Sequence, residues 1–158
     1  MSSIRVSPAE ISGKASPPPS KSAAHRALIC AALAGGGSVD GVIQSDDMRA
    51  TMNGIRALGI NEVWEGNTVK ILGQQAPPQN PVVDCLESGS TLRFLIPIFA
   101  ALGIDATFTG CGRLPQRPLG VYADCLPEHG VAISTKNGLP LTINGRLQAG
   151  KYHIPGDI

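Results

Sequence analysis

Aromatic residues make up only 4% of this chain, and its formal net charge is only +1. A nucleic-acid surface needs a basic footprint and stacking rings, so that partner class is excluded. Long apolar runs are also missing. No stretch approaches the length that spans a bilayer, and residues 1–10 lack the apolar core of a signal peptide, which excludes a membrane partner and points to the cytoplasm. The four cysteines, Cys30, Cys85, Cys111 and Cys125, stand far apart with no C-x-x-C pair and no histidine cluster beside them. Neither a zinc site nor a disulfide framework is indicated.

What is present is a chain of 158 residues, 42% hydrophobic, enough for one globular domain with a moderate core. Its chemistry gathers at helix starts. Pro17-Pro18-Pro19 bars a helix from beginning earlier, Ser20 offers an N-cap oxygen, and Lys21, Ser22 and Arg26 follow within the first turns. The free amides and positive dipole end of such a helix favour an anion, and cations placed there oppose the dipole without one. Ser22 and Arg26, four apart, share a face. By itself, a solvated basic surface helix accounts for this stretch equally well.

A second cluster, Glu87-Ser88-Gly89-Ser90-Thr91-Leu92-Arg93, again combines a glycine, hydroxyls and an arginine at a helix start. Gly89 permits close approach of a ligand to the backbone, although an ordinary capped helix with Arg93 solvated is the simpler account of this motif alone. The third is the loop 110–120, with Arg113 and Arg117 before Pro118, a residue suited to a first helical turn. Three anion-ready starts in one nearly neutral domain argue against coincidence. Asp46-Asp47, after Ser45, reads as the acidic first turn of a helix rather than a metal pair. Gly145 to Tyr152 nearly matches G-x-x-x-x-G-K-[ST], but Tyr152 replaces the hydroxyl and Pro155-Gly156 forbids the helix, so a hairpin turn is expected.

An internal repeat organises these motifs. The first copy predicts helix 21–34, strand 38–43, helix 46–58, and strands 61–65 and 68–72 joined at Gly66-Asn67. The second predicts helix 90–102, strand 105–109, helix 119–129, and strands 131–135 and 139–144 joined at Asn137-Gly138. Gly35, Gly59, Gly103 and Gly130 stop the four helices. Arg26 and Arg93 fall at matching places in the two first helices. Pro97 and Pro127 are expected to kink or shorten theirs. Residues 4–6 and 11–15 read as short strands outside the repeat, and 73–81 as a linker within the domain.

In order along nearly the whole chain, these motifs resemble the 5-enolpyruvylshikimate-3-phosphate synthase family, which glyphosate inhibits. The resemblance rests on Pro19-Ser20-Lys21-Ser22 with His25-Arg26-Ala27-Leu28, Ser45-Asp46-Asp47, Ser88-Gly89-Ser90-Thr91-Leu92-Arg93, Gln116-Arg117-Pro118-Leu119-Gly120, and Pro155-Gly156-Asp157-Ile158. It implies an α/β (α+β) fold of repeated βαβαββ units, the inside-out barrel of the enolpyruvyl transferases, with two of the three units of one half present. The implied arrangement is N-terminal strands 1–18 from the neighbouring half, a first unit 19–85, and a second unit 86–158 cut before the third.

The implied reaction moves the enolpyruvyl group of phosphoenolpyruvate to the 5-hydroxyl of shikimate 3-phosphate, with no cofactor. By resemblance, Lys21 contacts phosphoenolpyruvate, Ser22 and Arg26 hold shikimate 3-phosphate, Gly89 lines the phosphoenolpyruvate pocket, and Arg117 binds its phosphate. Arg93 and Asp47 belong to the same motifs. The acid and base groups lie in the C-terminal half, the implied partner of this chain, so no catalytic residue is expected here and the fragment is expected to be inactive alone, with self-association over the face that should meet the third unit. Pro19, Glu87 and Phe94 depart from the family pattern, where glycine, asparagine and proline are common. Two alternatives are the sister family, UDP-N-acetylglucosamine enolpyruvyl transferase, with Cys111 as general acid, and a non-catalytic anion-binding repeat module. Ser22 with His25-Arg26, in place of an asparagine after the lysine, favours a phosphorylated small ring.

Overall fold

The computed structural model describes residues 3–10, 12–135 and 138–154. Three serines open the three long helices in the same way. Ser20, Ser45 and Ser88 each accept, through the side-chain oxygen, the backbone N–H three residues on, from Ala23, Met48 and Thr91 at 3.3 Å. The helices are α1 (Lys21–Leu33), α2 (Asp46–Ala57) and α3 (Gly89–Leu102). α1 turns His25, Leu28, Ile29 and Ala32 inward at helical spacing. α2 carries Asp46 and Asp47 in its first turn and Arg56 in its last, matching its dipole, and buries Met48, Met52 and Ile55. α3 is the most apolar, with Leu92, Leu95, Ile96 and Phe99 buried.

Two sheets carry these helices. β1 (Gly37–Val39), β2 (Ile60–Glu65) and β3 (Thr68–Gln74) form an antiparallel sheet in the order β1-β3-β2. β4 (Val82–Asp84), β5 (Ala106–Thr109), β6 (Val131–Thr135) and β7 (Leu141–Gly145) form the second, ordered β4-β5-β7-β6. β4 runs parallel to β5, and α3 is the crossover between them. One buried core spans both sheets, from Leu28 and Ile55 through Leu95 to Phe108 and Ile143. Phe99 and Phe108 meet edge to face, centroids 5.5 Å apart.

The expected helix stops hold: Gly103 and Gly130 are left-handed caps, φ 71° and 87°. Other expectations need correction. No strand occurs among residues 3–10 and 12–20, where Ile4 and Val6 are 91% and 87% exposed; a strand needs a neighbour, and nothing described pairs with them. The strand expected over 38–43 ends at Val39, because Gly41, at φ 74°, turns the chain and the Val42 N–H leaves the ladder for Asn67 O at 2.8 Å. β4 lies before residue 86, where the second unit was expected to begin, yet pairs within the second sheet. The helix expected over 119–129 is α4 (Gly120–Cys125) followed by a 3₁₀ turn at Pro127–His129, since Pro127 cannot extend the helical ladder.

Pro97 does not shorten its helix. α3 runs through it at full length, because the Arg93 carbonyl that residue 97 can no longer donate to accepts the Tyr122 hydroxyl instead, at 3.0 Å. Residues 146–154 are not a hairpin turn but an irregular strap. It is held where Leu147 N–H donates to Ala100 O at 2.8 Å and Gln148 N–H to His129 O at 2.9 Å. Of the second expected turn, Asn137 lies outside the described residues, as do Pro155, Gly156, Asp157 and Ile158 of the terminal motif.

Candidate functional site

The starts of α1, α2 and α3 converge, and the polar groups they carry form two clusters. In the first, Lys21 Nζ on α1 donates to Asp47 Oδ2 on α2 at 2.8 Å. That hydrogen bond and the carboxylate charge hold the Lys21 pKa above its ordinary value, so the ammonium is kept charged at the mouth of both helices. Asp46 instead pairs with Arg49 along its own helix. The two adjacent carboxylates therefore have separate cationic partners, and only Asp47 turns toward α1.

The second cluster surrounds Gly89, the buried first residue of α3. A Cβ placed there would lie 2.4 Å from Arg117 Nη1 and 3.3 Å from Arg93 Nη1. Two guanidinium groups thus close over one glycine, and among the described residues neither has a carboxylate partner. Like charges brought together this way repel unless an anion joins them. The absence of a side chain at Gly89 is what admits both. Arg117 reaches this position from the end of a 3₁₀ turn, Leu114–Gln116, whose Leu114 is fully buried as its anchor.

Glu87 is the nearest acidic residue in the chain to Gly89, but it is engaged elsewhere. Its Oε1 accepts the Arg113 N–H at 3.0 Å, and its carboxylate fits against Gly112, where a Cβ would come within 2.6 Å. The glutamate therefore pins the loop that delivers Arg117. Cys111 sits in the same loop, exposed, its N–H bound to Leu86 O at 2.7 Å.

Of the residues singled out in the sequence, the fold brings Lys21 to Asp47, and Gly89 to Arg93 and Arg117. Ser22 and Arg26 remain on the exposed side of α1, and Arg26 has no carboxylate partner among the described residues. Three features escaped sequence reasoning: the Glu87 clasp, the Tyr122 hydroxyl on Arg93 O, and a buried row of hydrogen bonds from His25 through Thr51 and Thr91 to Ser88. The row left a readable trace, since His25 falls on the apolar stripe of α1 with Leu28, Ile29 and Ala32. A cleft of about 430 Å³ lies away from both clusters, between α4 and residues 151–153. No helix among the described residues is long and apolar enough to cross a membrane.

The family model for EPSP synthase (3-phosphoshikimate 1-carboxyvinyltransferase) matches residues 6–158. The chain is 42% identical to the 3-phosphoshikimate 1-carboxyvinyltransferase of Clostridium novyi and 44% identical to that of Clostridium kluyveri, each alignment covering 100% of this chain and 39% and 38% of the relative. It thus spans well under half the length of these relatives. Among solved structures, an EPSP synthase from Acinetobacter baumannii superposes with a TM-score of 0.74 at 29% identity, covering 86% of this chain and 32% of that one.

Proposed function

This chain belongs to the EPSP synthase family, and on that premise we propose that it supplies the N-terminal part of the substrate site of an enzyme transferring the enolpyruvyl group of phosphoenolpyruvate to the 5-hydroxyl of shikimate 3-phosphate. Lys21, Gly89 and Arg117 serve phosphoenolpyruvate, while Ser22 and Arg26 hold the phosphate of the second substrate. Asp47 aims Lys21, and Arg93 adds charge beside Gly89.

The observation that carries this reading is the pair of guanidinium groups, Arg93 and Arg117, closed over buried Gly89 without a carboxylate among the described residues. The reaction joins two phosphorylated substrates through a tetrahedral adduct and releases phosphate. It therefore needs fixed positive charge around two phosphates and a carboxylate. The starts of α1 and α3 supply that charge from rigid elements, already oriented. Proton transfer to the enolpyruvyl carbon and from the attacking hydroxyl needs an acid and a base. No residue of this chain is assigned either role; both belong to the remaining half of the enzyme, its partner in the proposal.

The test is calorimetry on the full-length enzyme. Arg26→Ala should weaken shikimate 3-phosphate binding by about 2 to 5 kcal/mol, the range for removing one partner of a desolvated charge pair. Phosphoenolpyruvate should be weakened similarly by Arg117→Ala. Unchanged affinity for shikimate 3-phosphate in Arg26→Ala would remove α1 as its anchor.

A further inference from the structure

Between the three helix starts lies a row of buried polar side chains that the ligand contacts proposed above leave unused. His25 and Ser88 are 3% exposed, and Thr51 and Thr91 are fully buried. His25 Nδ1 lies 2.6 Å from Thr51 Oγ1, Thr51 Oγ1 lies 2.8 Å from Thr91 Oγ1, and Thr91 Oγ1 lies 2.8 Å from Ser88 Oγ. The row takes one residue from each of α1, α2 and α3 and ends on the N-cap of α3. It also branches. Asp47 O lies 3.2 Å from Thr51 Oγ1 and 3.5 Å from Thr91 Oγ1.

Each hydroxyl has one proton to donate, and a buried polar group left unpaired is expensive. The donors along the row therefore run in a consistent order wherever a threonine proton is not taken by the Asp47 carbonyl. With Nδ1 protonated, His25 donates to Thr51, Thr51 to Thr91, and Thr91 to Ser88, which frees the Ser88 proton. With Nδ1 bare, Thr51 donates to His25 instead, and because the Thr91 proton goes to Ser88 Oγ, the Thr51–Thr91 pair is left without a donor. Ser88 Oγ also accepts the Thr91 N–H at 3.3 Å, so it is the acceptor of both Thr91 groups. The order that pairs every member of the row is thus the one with Nδ1 protonated, and it ties the tautomer of His25 to the hydrogen bonds that end on Ser88.

The ends of this row are well placed. Ser88 directly precedes Gly89, over which Arg93 and Arg117 close, and Asp47, whose carbonyl sits at the branch, holds Lys21 with its carboxylate. We propose that His25, Thr51, Thr91 and Ser88 form a positioning relay that fixes the α1–α2 start at Lys21 against the α3 start at Gly89, so that an anion bound over Gly89 is registered at His25. The role of Gly89 as a ligand site rests on the function proposed above. None of the four residues touches the ligand in this scheme, and each acts through a neighbour.

The experiment uses this chain, ¹⁵N-labelled, with inorganic phosphate as the probe. The ring nitrogens of His25 report its tautomer directly. Thr51→Val cuts the row with a side chain of the same shape, and Thr51→Ser rebuilds it. One tautomer is expected in the parent chain and in Thr51→Ser, and a mixture in Thr51→Val. Phosphate that shifts the Gly89 amide should also shift the His25 ring in the first two and not in the third, with affinity in Thr51→Val reduced about tenfold, the factor associated with one buried hydrogen bond. Signal dispersion in β5, β6 and β7 checks folding, and should Thr51→Val not fold, Thr91→Val cuts the row at its other hydroxyl with the same expectations. A tautomer unchanged by the cut, or a Gly89 response with none at His25, overturns the relay. If phosphate leaves Gly89 unshifted, the ligand reading of α3 fails separately, and the relay stands or falls on whether the tautomer is lost in the valine variant and restored in the serine variant.

Discussion

The two units follow one order of elements but use their second helices differently. α2 buries seven of its twelve residues and lies between α1 and α3, whereas α4 has six residues and buries none. The sheets differ as well, three strands against four, and the place β4 takes beside β5 has no counterpart beside β1 among the described residues. Their arginines are also out of phase. Counted from the N-caps Ser20 and Ser88, Arg26 stands six residues in and Arg93 five, which at 3.6 residues per turn rotates them by about 100°. Arg93 consequently closes over Gly89, while Arg26 stays on the exposed side of its helix. A repeat thus keeps its scaffold while one residue of phase turns the arginines of its two copies in different directions.

The comparison is tested most severely in the core. If the units were independent, a cut in one would leave the other intact. Phe108 is fully buried on β5 and meets Phe99 edge to face, within a cluster that continues to Leu28 and Ile55. Phe108→Ala should cost about 3 to 5 kcal/mol. In urea it should lower the midpoint of a single transition followed both by Trp64 fluorescence, in the first unit, and by far-ultraviolet dichroism. Two separated transitions would show that the units fold apart.

The same difference between the copies explains what could be read from the sequence. α1, α2 and α3 were legible because serine caps, apolar spacing and glycine stops are local signals, and the family motifs fell on their starts. β4 was not, since Val82–Asp84 is three residues long and its strand character comes from β5, far along the chain. The strands expected near Ile4 failed for the complementary reason: local β-propensity without a partner makes no strand. Lys21, Gly89, Arg93 and Arg117 were named as site candidates from composition at helix starts. Tyr122, Thr51 and the Glu87 clasp were missed, because each acts on a residue at least 26 positions away and carries no local mark.

A smaller effect separates the units by pH. His25 belongs to the first, and burial pushes its pKa below the usual value; the Asp47 charge opposes this and the Lys21 charge adds to it. In the unfolded chain the imidazole titrates near its ordinary value, about 6.5. Between the two values the unfolded state holds more protons, so stability should fall as pH is lowered through this window, by at most about 1.4 kcal/mol per pH unit for a single group. Urea titrations of parent and His25→Gln at several pH values in phosphate-free buffer isolate the contribution. The variant should be flatter over this range, and parallel curves would mean that His25 is not held neutral by the fold.

The smallest effect concerns the proline that α3 contains and α1 does not. Pro97 removes the amide that would serve Arg93 O, and the Tyr122 hydroxyl takes its place at 3.0 Å, with burial holding its own pKa above the ordinary value. Tyr122→Phe leaves that carbonyl without its donor and should cost about 1 kcal/mol. Pro97→Ala restores an amide aimed at the same oxygen, so in that background Tyr122→Phe should cost close to nothing. The cycle of two single variants and the double, measured by urea unfolding, should therefore give a coupling of about 1 kcal/mol. Additive costs would mean that the tyrosine acts through its ring packing alone, and that the integrity of α3 past Pro97, unlike that of α1, owes nothing to the helix beside it.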